Sequence, residues 1–369
     1  MKTIQSFLKK EPVLSIAAVL ALGSAFLVPP SAAYMGYIDC HVLALLFCLM
    51  AVVAGLMNEG FFDWISQKLL SKTDKAKTIG ILLVNLCFFS AMLVTNDVAL
   101  LTFVPLTLGI LGTLPAGELI FLLVMETIAA NLGSMATPIG NPQNLYLYSH
   151  YGVELGGFFA LMLPLTLLSW LLIMAALLLN KGSGLRLRYE KEAPVLQKGP
   201  LLLLALLFAL CLATVAHVLP WQACFVVVLL VLLLWKRSLL AKVDYSLLLT
   251  FVCFFVFVGN MGQLPAVREL VGSVLEGRDL LVSALLSQLI SNVPAAIMLS
   301  GFADAASGLL VGTNLGGLGT LWASLASLIT FKLYSRSEGA QSGRFFLQFS
   351  LWNFGFLAIL LAVCLLLMG

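Results

Sequence analysis

Two short stretches, Leu93-Val94-Thr95-Asn96-Asp97-Val98 and Leu289-Ile290-Ser291-Asn292-Val293-Pro294, decide how this chain is read. Each sets a small hydroxyl beside an amide in the middle of an otherwise apolar run, 79–111 and 280–302. In a soluble loop such a pair would carry no information. Inside a bilayer it does, because an unsatisfied polar group in hydrocarbon costs several kcal/mol.

The rest of the chain places both stretches in a membrane. Hydrophobic residues make up 61% of 369 and charged residues 10%, with a mean hydropathy of +1.07. That surface is too poor in charge for a soluble domain. The net charge of +3 is therefore no signal for nucleic acid. Crossing the hydrocarbon takes about 20 apolar residues as helix. Stretches that serve lie near 13–29, 38–57, 117–145, 155–180, 200–219, 221–235, 245–262, 303–331 and 345–368. With 79–111 and 280–302 read as re-entrant hairpins there are nine spans; full crossings there would raise the count to ten or eleven. The first apolar stretch follows Lys2, Lys9 and Lys10 and also fits a cleaved signal peptide, but its length favours an uncleaved span. The seven cysteines lie in or beside apolar runs without a CxxC pair, which points to neither zinc nor a disulfide framework.

Basic residues orient the chain. Segments 1–12, 66–78, 181–199, 236–244 and 332–344 hold three, four, five, three and three of the twenty Lys and Arg. Loops 30–37 and 146–157 hold none, and 264–279 holds two. Cytoplasmic loops are enriched in Lys and Arg, so the N-terminus is expected inside a plasma (inner) membrane, provided both hairpins return to their starting side.

A repeat follows. Span 38–57, hairpin 79–111, broken span 117–145 and span 155–180 match span 245–262, hairpin 280–302, broken span 303–331 and span 345–368, with opposite starting sides. The units expected are 1–37, an N-terminal span and external loop; 38–180, the first inverted repeat; 181–244, a cytoplasmic linker with connecting spans; and 245–369, the second inverted repeat. Gly55-Leu56-Met57-Asn58-Glu59-Gly60 resembles Val258-Gly259-Asn260-Met261-Gly262, and the two hairpin tips match. Asn131-Leu132-Gly133-Ser134-Met135-Ala136-Thr137 matches Asn314-Leu315-Gly316-Gly317-Leu318-Gly319-Thr320. The fold class is all-α integral membrane, with two re-entrant hairpins in an inverted-topology repeat.

The breaks carry the chemistry. Transporters use half-helix N-termini to hold anions, and unwound carbonyls to hold Na⁺ or H⁺. Isolated Asn or Thr residues more often join helices by hydrogen bonds, but four breaks in two inverted pairs point to a binding site. The candidates are Thr95, Asn96, Asp97, Asn131, Gly133, Thr137, Pro138, Gly140, Asn141, Ser291, Asn292, Asn314, Gly316 and Thr320. The first break is extended by Pro138-Ile139-Gly140-Asn141-Pro142-Gln143-Asn144, whereas Leu321-Trp322-Ala323-Ser324-Leu325 is blander, so the first half is expected to supply more ligands. Asp97, beside Thr95 and Asn96, is placed to attract a coupling cation such as Na⁺; it would equally serve as a helix N-cap. Glu126 has the weaker case, and His41, His150 and His217 read as interfacial side chains. No basic residue lies at depth, so an anion would depend on helix N-termini, amides and a co-bound cation.

Thr95-Asn96-Asp97-Val98-Ala99-Leu100, Thr137-Pro138-Ile139-Gly140-Asn141-Pro142-Gln143-Asn144 and Ser291-Asn292-Val293-Pro294 resemble the ion transporter superfamily. That group includes arsenite permeases, NhaD-type sodium/proton antiporters, citrate permeases and sodium-coupled dicarboxylate carriers; small bacterial permeases of the YbiR type are closest. The resemblance implies a scaffold domain that often forms a homodimer, a transport domain with two hairpins, and an elevator motion. It also implies Ser-Asn-Thr at both tips in dicarboxylate carriers; here the third Thr is absent from both, replaced by Asp97 and Val293. The expectation is a permease for a small inorganic or organic anion in the lipid bilayer, by symport or antiport with Na⁺ or H⁺ and no other cofactor. A cation/proton antiporter using Asp97 is the alternative. An enzyme is disfavoured because Asp97 has no obvious second acid, a primary pump because no Walker A motif occurs, and a non-transporting scaffold because the paired breaks would go unexplained.

Overall fold

The computed structural model describes residues 11–186 and 195–368, and within them every regular element is a helix. The first part of the chain forms α1 (Pro12–Leu27), α2 (Ala33–Tyr37), α3 (Cys40–Asn58), α4 (Phe61–Leu70), α5 (Ala76–Val94), α6 (Asn96–Leu111), α7 (Ala116–Ser134), α8 (Pro142–His150) and α9 (Leu155–Leu179). The connecting region forms α10 (Lys198–Val215) and α11 (Trp221–Lys236), which runs into a 3₁₀ turn, Arg237–Lys242. Then follow α12 (Tyr245–Gly262), α13 (Pro265–Leu275), α14 (Asp279–Ile290), α15 (Asn292–Ser300), α16 (Ala306–Leu315), α17 (Leu325–Ser335) and α18 (Ser342–Met368).

Among the described residues, eight helices are long and apolar enough to cross a membrane: α3, α5, α7, α9, α10, α11 with its 3₁₀ extension, α12 and α18. Two differ from the sequence reading. The 221–235 stretch falls short of the roughly 20 residues a span takes, but the 3₁₀ turn carries the helix to Lys242, 22 residues in all. Helix α5 has 19 residues and is long enough to span by itself, where the sequence suggested only a hairpin arm. Leucines and phenylalanines that face outward, such as Phe26, Leu179, Leu234 and Leu366, are exposed over most of their surface, as suits side chains bathed in lipid rather than water.

The centre is α7. Every residue from Leu119 to Ser134 is buried, because α5, α6, α9, α16, α17 and α18 all pack on it. Enclosure suits α7 because it carries Glu126, Thr127, Asn131 and Ser134, polar groups that lipid would leave unsatisfied. Helix α5 turns back at Thr95 and packs on α6; α14 turns at Ser291 and packs on α15. Each leading arm also lies along the helix that ends in Asn-Leu-Gly, α5 on α7 and α14 on α16.

The two turns share one unusual backbone conformation. Thr95 has φ 81° and ψ 150°, Ser291 φ 76° and ψ 152°. That region is nearly confined to glycine, and a side chain there costs on the order of 1–3 kcal/mol. The following amide holds each turn in place: Asn96 N–H donates to Gly140 O (3.2 Å), and Asn292 N–H donates to Ala323 O (2.9 Å).

A candidate transport site where the broken helices meet

The backbone bonds at the turns belong to a larger matched set. Thr137 Oγ donates to Met92 O, and Thr320 Oγ donates to Gln288 O (3.0 Å). Asn141 caps α8 by accepting from Asn144 N–H (2.8 Å); Ser324 caps α17 by accepting from Ala326 N–H (3.2 Å). Each cap then reaches across to the other half. Asn141 Nδ2 donates to Asn314 Oδ1 (2.8 Å), and Ser324 Oγ donates to Asn131 Oδ1 (3.0 Å). Ser324 thus does in the second stretch what Asn141 does in the first, and a lone serine among apolar residues gives no local sign of it.

The amides close the network. Asn131 Oδ1 also accepts from Asn96 Nδ2 (3.0 Å), while Asn131 Nδ2 donates to Gly317 O (3.4 Å). Asn314 Nδ2 donates to Asn144 Oδ1 (2.5 Å) and to Leu310 O (2.7 Å), and Asn141 Nδ2 also reaches Ser134 Oγ (3.0 Å). Asn292 lies against Gly317, where an added Cβ would come within 2.9 Å of its Nδ2. Both tips and both breaks therefore meet in one buried cluster. Gly133 and Gly140 permit the close approach: a Cβ at Gly133 would lie 2.2 Å from Phe88 O, and one at Gly140 2.0 Å from Ser134 O. Gly316 packs on Ser287 in the same way, and Pro138 is buried between the two halves of the first break.

Gln288 was missed by sequence reasoning. Its Nε2 donates to Gly316 O and Leu318 O (both 2.9 Å), and its Oε1 accepts from Thr320 N–H (2.9 Å). It satisfies the backbone of the second break as Asn144 Nδ2, donating to Thr137 O (3.1 Å), does in the first. Its position three residues before the Ser291 turn was the available signal.

Beside the cluster lies a cavity of about 350 Å³. One wall is α3, with Leu46, Leu49, Met50, Val53, Ala54 and Met57; another is the first turn, with Leu93, Thr95, Asp97, Val98 and Leu101. Ile139, Asn141, Pro142 and Leu145 form the floor, and Lys242, Asp244 and Leu247 the rim. Of the predicted residues, Thr95, Asp97 and Asn141 line this space, and Asn96, Asn131, Asn292 and Asn314 do not; they are engaged in the network behind it. The N-termini of α6 and α8 both end at the cavity, which makes that side electropositive.

Asp97 sits in the first turn of α6 and caps nothing: its own amide is bonded by Asn96 Oδ1 (3.0 Å), and its Oδ1 is buried without a hydrogen-bond partner. Glu126 lies apart from the tip on α7, where Thr107 Oγ donates to Oε1 and Oε2 has no partner. His41 and His150 sit at the ends of α3 and α8, and His217 follows α10. At the rim, the exposed Lys242 is a basic residue lining the cavity that Asp97 lines. The 3₁₀ turn after α11 folds it over the end of α3, where its Nζ donates to Asn58 Oδ1 (2.7 Å). A residue in a loop by sequence is thereby at the site by structure.

An all-helical, multi-span membrane protein with paired helix breaks meeting beside a cavity is built as a transporter. The chain belongs to the citrate transporter family, whose model matches residues 7–326. It is 35% identical over 309 residues to an uncharacterized transporter of Methanocaldococcus jannaschii, covering 82% of each chain. It is 32% identical over 324 residues to the inner membrane protein YbiR of Escherichia coli, covering 85% of this chain and 86% of that one. An uncharacterized transporter of Mycobacterium tuberculosis is 28% identical over 285 residues, covering 70% of this chain and 66% of that one. The protein is a membrane permease and not an enzyme.

Proposed function

We propose that the chain is a secondary carrier of a small anion coupled to Na⁺ or H⁺, with Asp97 as the coupling residue. One observation carries this: Asp97 lines a cavity at two helix N-termini, and one of its carboxylate oxygens is buried without a partner. An uncompensated buried charge is costly, and a cation or proton at Asp97 removes that cost. Thr95 and Asn141 supply neutral oxygens beside it. The anion then binds a site whose negative charge has been cancelled, which links the two occupancies. The same unpartnered oxygen fits the alternative, a cation/proton antiporter in which Asp97 alternates between the two ions.

In this reading the α5–α6 and α14–α15 hairpins are re-entrant, and the halves form an inverted-topology repeat, 38–180 and 245–369. The matched bonds at Asn96 and Asn292, Thr137 and Thr320, and Asn141 and Ser324 support it. The N-terminus and loops 66–78, 181–199, 236–244 and 332–344 lie in the cytoplasm of a plasma (inner) membrane, so the cavity rim opens inward. Dimerisation through the scaffold and an elevator motion belong to the same reading.

The experiment is Asp97→Asn in proteoliposomes under imposed Na⁺ and pH gradients. Asn keeps the size and removes the charge. Ion-dependent flux should fall at least tenfold while reconstituted protein stays near wild-type amount. Unchanged ion dependence would remove Asp97 from coupling. Ion-driven proton release without any anion requirement would favour the antiporter.

A further inference from the structure

The cavity is lined mostly by apolar side chains with a few charged ones among them, and that balance selects a substrate. Five of its nineteen lining residues are polar: Thr95, Asp97, Asn141, and the exposed Lys242 and Asp244 at the rim. The other fourteen are apolar, apart from one proline all aliphatic or Met. At the rim the two charges are not equivalent. Asp244 Oδ1 accepts from Leu247 N–H (2.9 Å) and caps α12, so it is engaged with a helix N-terminus. Lys242 is tethered only by the neutral Asn58, and no carboxylate among the described residues lies within ion-pair distance of it.

The geometry points to an amphipathic organic monoanion as the substrate, its single carboxylate paired with Lys242 and its apolar body against α3 and the first hairpin. This deepens the proposed function and rests on the reading of the cavity as the transport site. A tricarboxylate fits poorly: three charges would meet one lysine and two acids, and aliphatic walls would strip their water without replacing it. A monocarboxylate leaves one charge at the wet rim and puts its methylenes where water is least favoured. At water's volume of about 30 Å³ per molecule, the 350 Å³ space takes roughly ten non-hydrogen atoms, about the size of octanoate.

The test uses the full chain, cysteine-free except for Met57→Cys, which lies on the cavity wall next to Asn58. Reconstituted in proteoliposomes, it is labelled with N-ethylmaleimide in the presence of butyrate, hexanoate, octanoate, octanamide or citrate. Monocarboxylates should slow labelling, with the half-protecting concentration falling about fourfold per added methylene. Citrate at equal concentration should give no protection. Octanamide should need at least threefold more than octanoate, and Lys242→Gln should erase that difference. Protection by octanamide equal to that by octanoate would mark an unselective apolar crevice, such as one filled by lipid tails, and would overturn the inference. Protection by citrate as strong as by octanoate would overturn it too. In both cases the cavity as the transport site would stand. If the introduced thiol stays inert under every condition, the cavity is closed, and the underlying functional reading falls with the inference.

Discussion

Replacing Thr95 by glycine should make the protein more stable, and the structure sets the size of the effect. Thr95 is held at φ 81°, ψ 150°, a region with a cost of about 1–3 kcal/mol for a residue with a Cβ. Its hydroxyl makes no hydrogen bond within the described residues, so glycine removes strain without stranding a partner. Against this gain, glycine loses about 0.4–1 kcal/mol more than alanine in chain entropy on folding. The balance leaves about 1 kcal/mol in favour of glycine. Thr95→Ala is the control, because it deletes the same hydroxyl and keeps the Cβ. Equilibrium unfolding in mixed micelles with increasing dodecyl sulfate should therefore rank Thr95→Gly above Thr95→Ala by that amount. If alanine equals or exceeds glycine, the turn is not strained and the account of the hairpin tip is wrong. Ser291, at φ 76°, should give the same ranking independently.

Gly140→Ala brings a Cβ to 2.0 Å from Ser134 O, a backbone atom that cannot swing away, so a loss of about 2–4 kcal/mol is expected in the same assay. Gly23→Ala, with nothing within 4 Å, should be neutral or slightly stabilising. Asn314→Leu strands Asn144 Oδ1 in the buried cluster, at about 1–3 kcal/mol, and leaves Asn141 Nδ2 with Ser134 Oγ as its one partner, so it should lower the unfolding midpoint well below that of an exposed control. For orientation, single cysteines in 66–78 and 332–344 of a cysteine-free version should react only with reagent inside sealed vesicles. Labelling of either from outside would overturn the proposed topology.

The membrane class and the positions of the breaks were legible in the sequence, for a physical reason. Hydrocarbon offers no hydrogen bonds, so each span must be an apolar run and each interruption stands out as a polar residue that must be satisfied. Thr95-Asn96, Ser291-Asn292 and the two Asn-Leu-Gly ends were visible on that ground alone. Tertiary structure decided which partner satisfies each one. Ser324 and Gln288 look ordinary along the chain because their importance is a hydrogen bond to a residue or backbone group far away in sequence. Along the chain Asp97 reads as a cap or an ion site, and the structure shows that its side chain caps no helix and leaves one buried oxygen without a partner. Lys242 belonged to a loop until the 3₁₀ turn after α11 carried it to the cavity rim. Composition and pattern report the solvent a segment must face. Contacts across the fold depend on how helices pack, and no single segment encodes that.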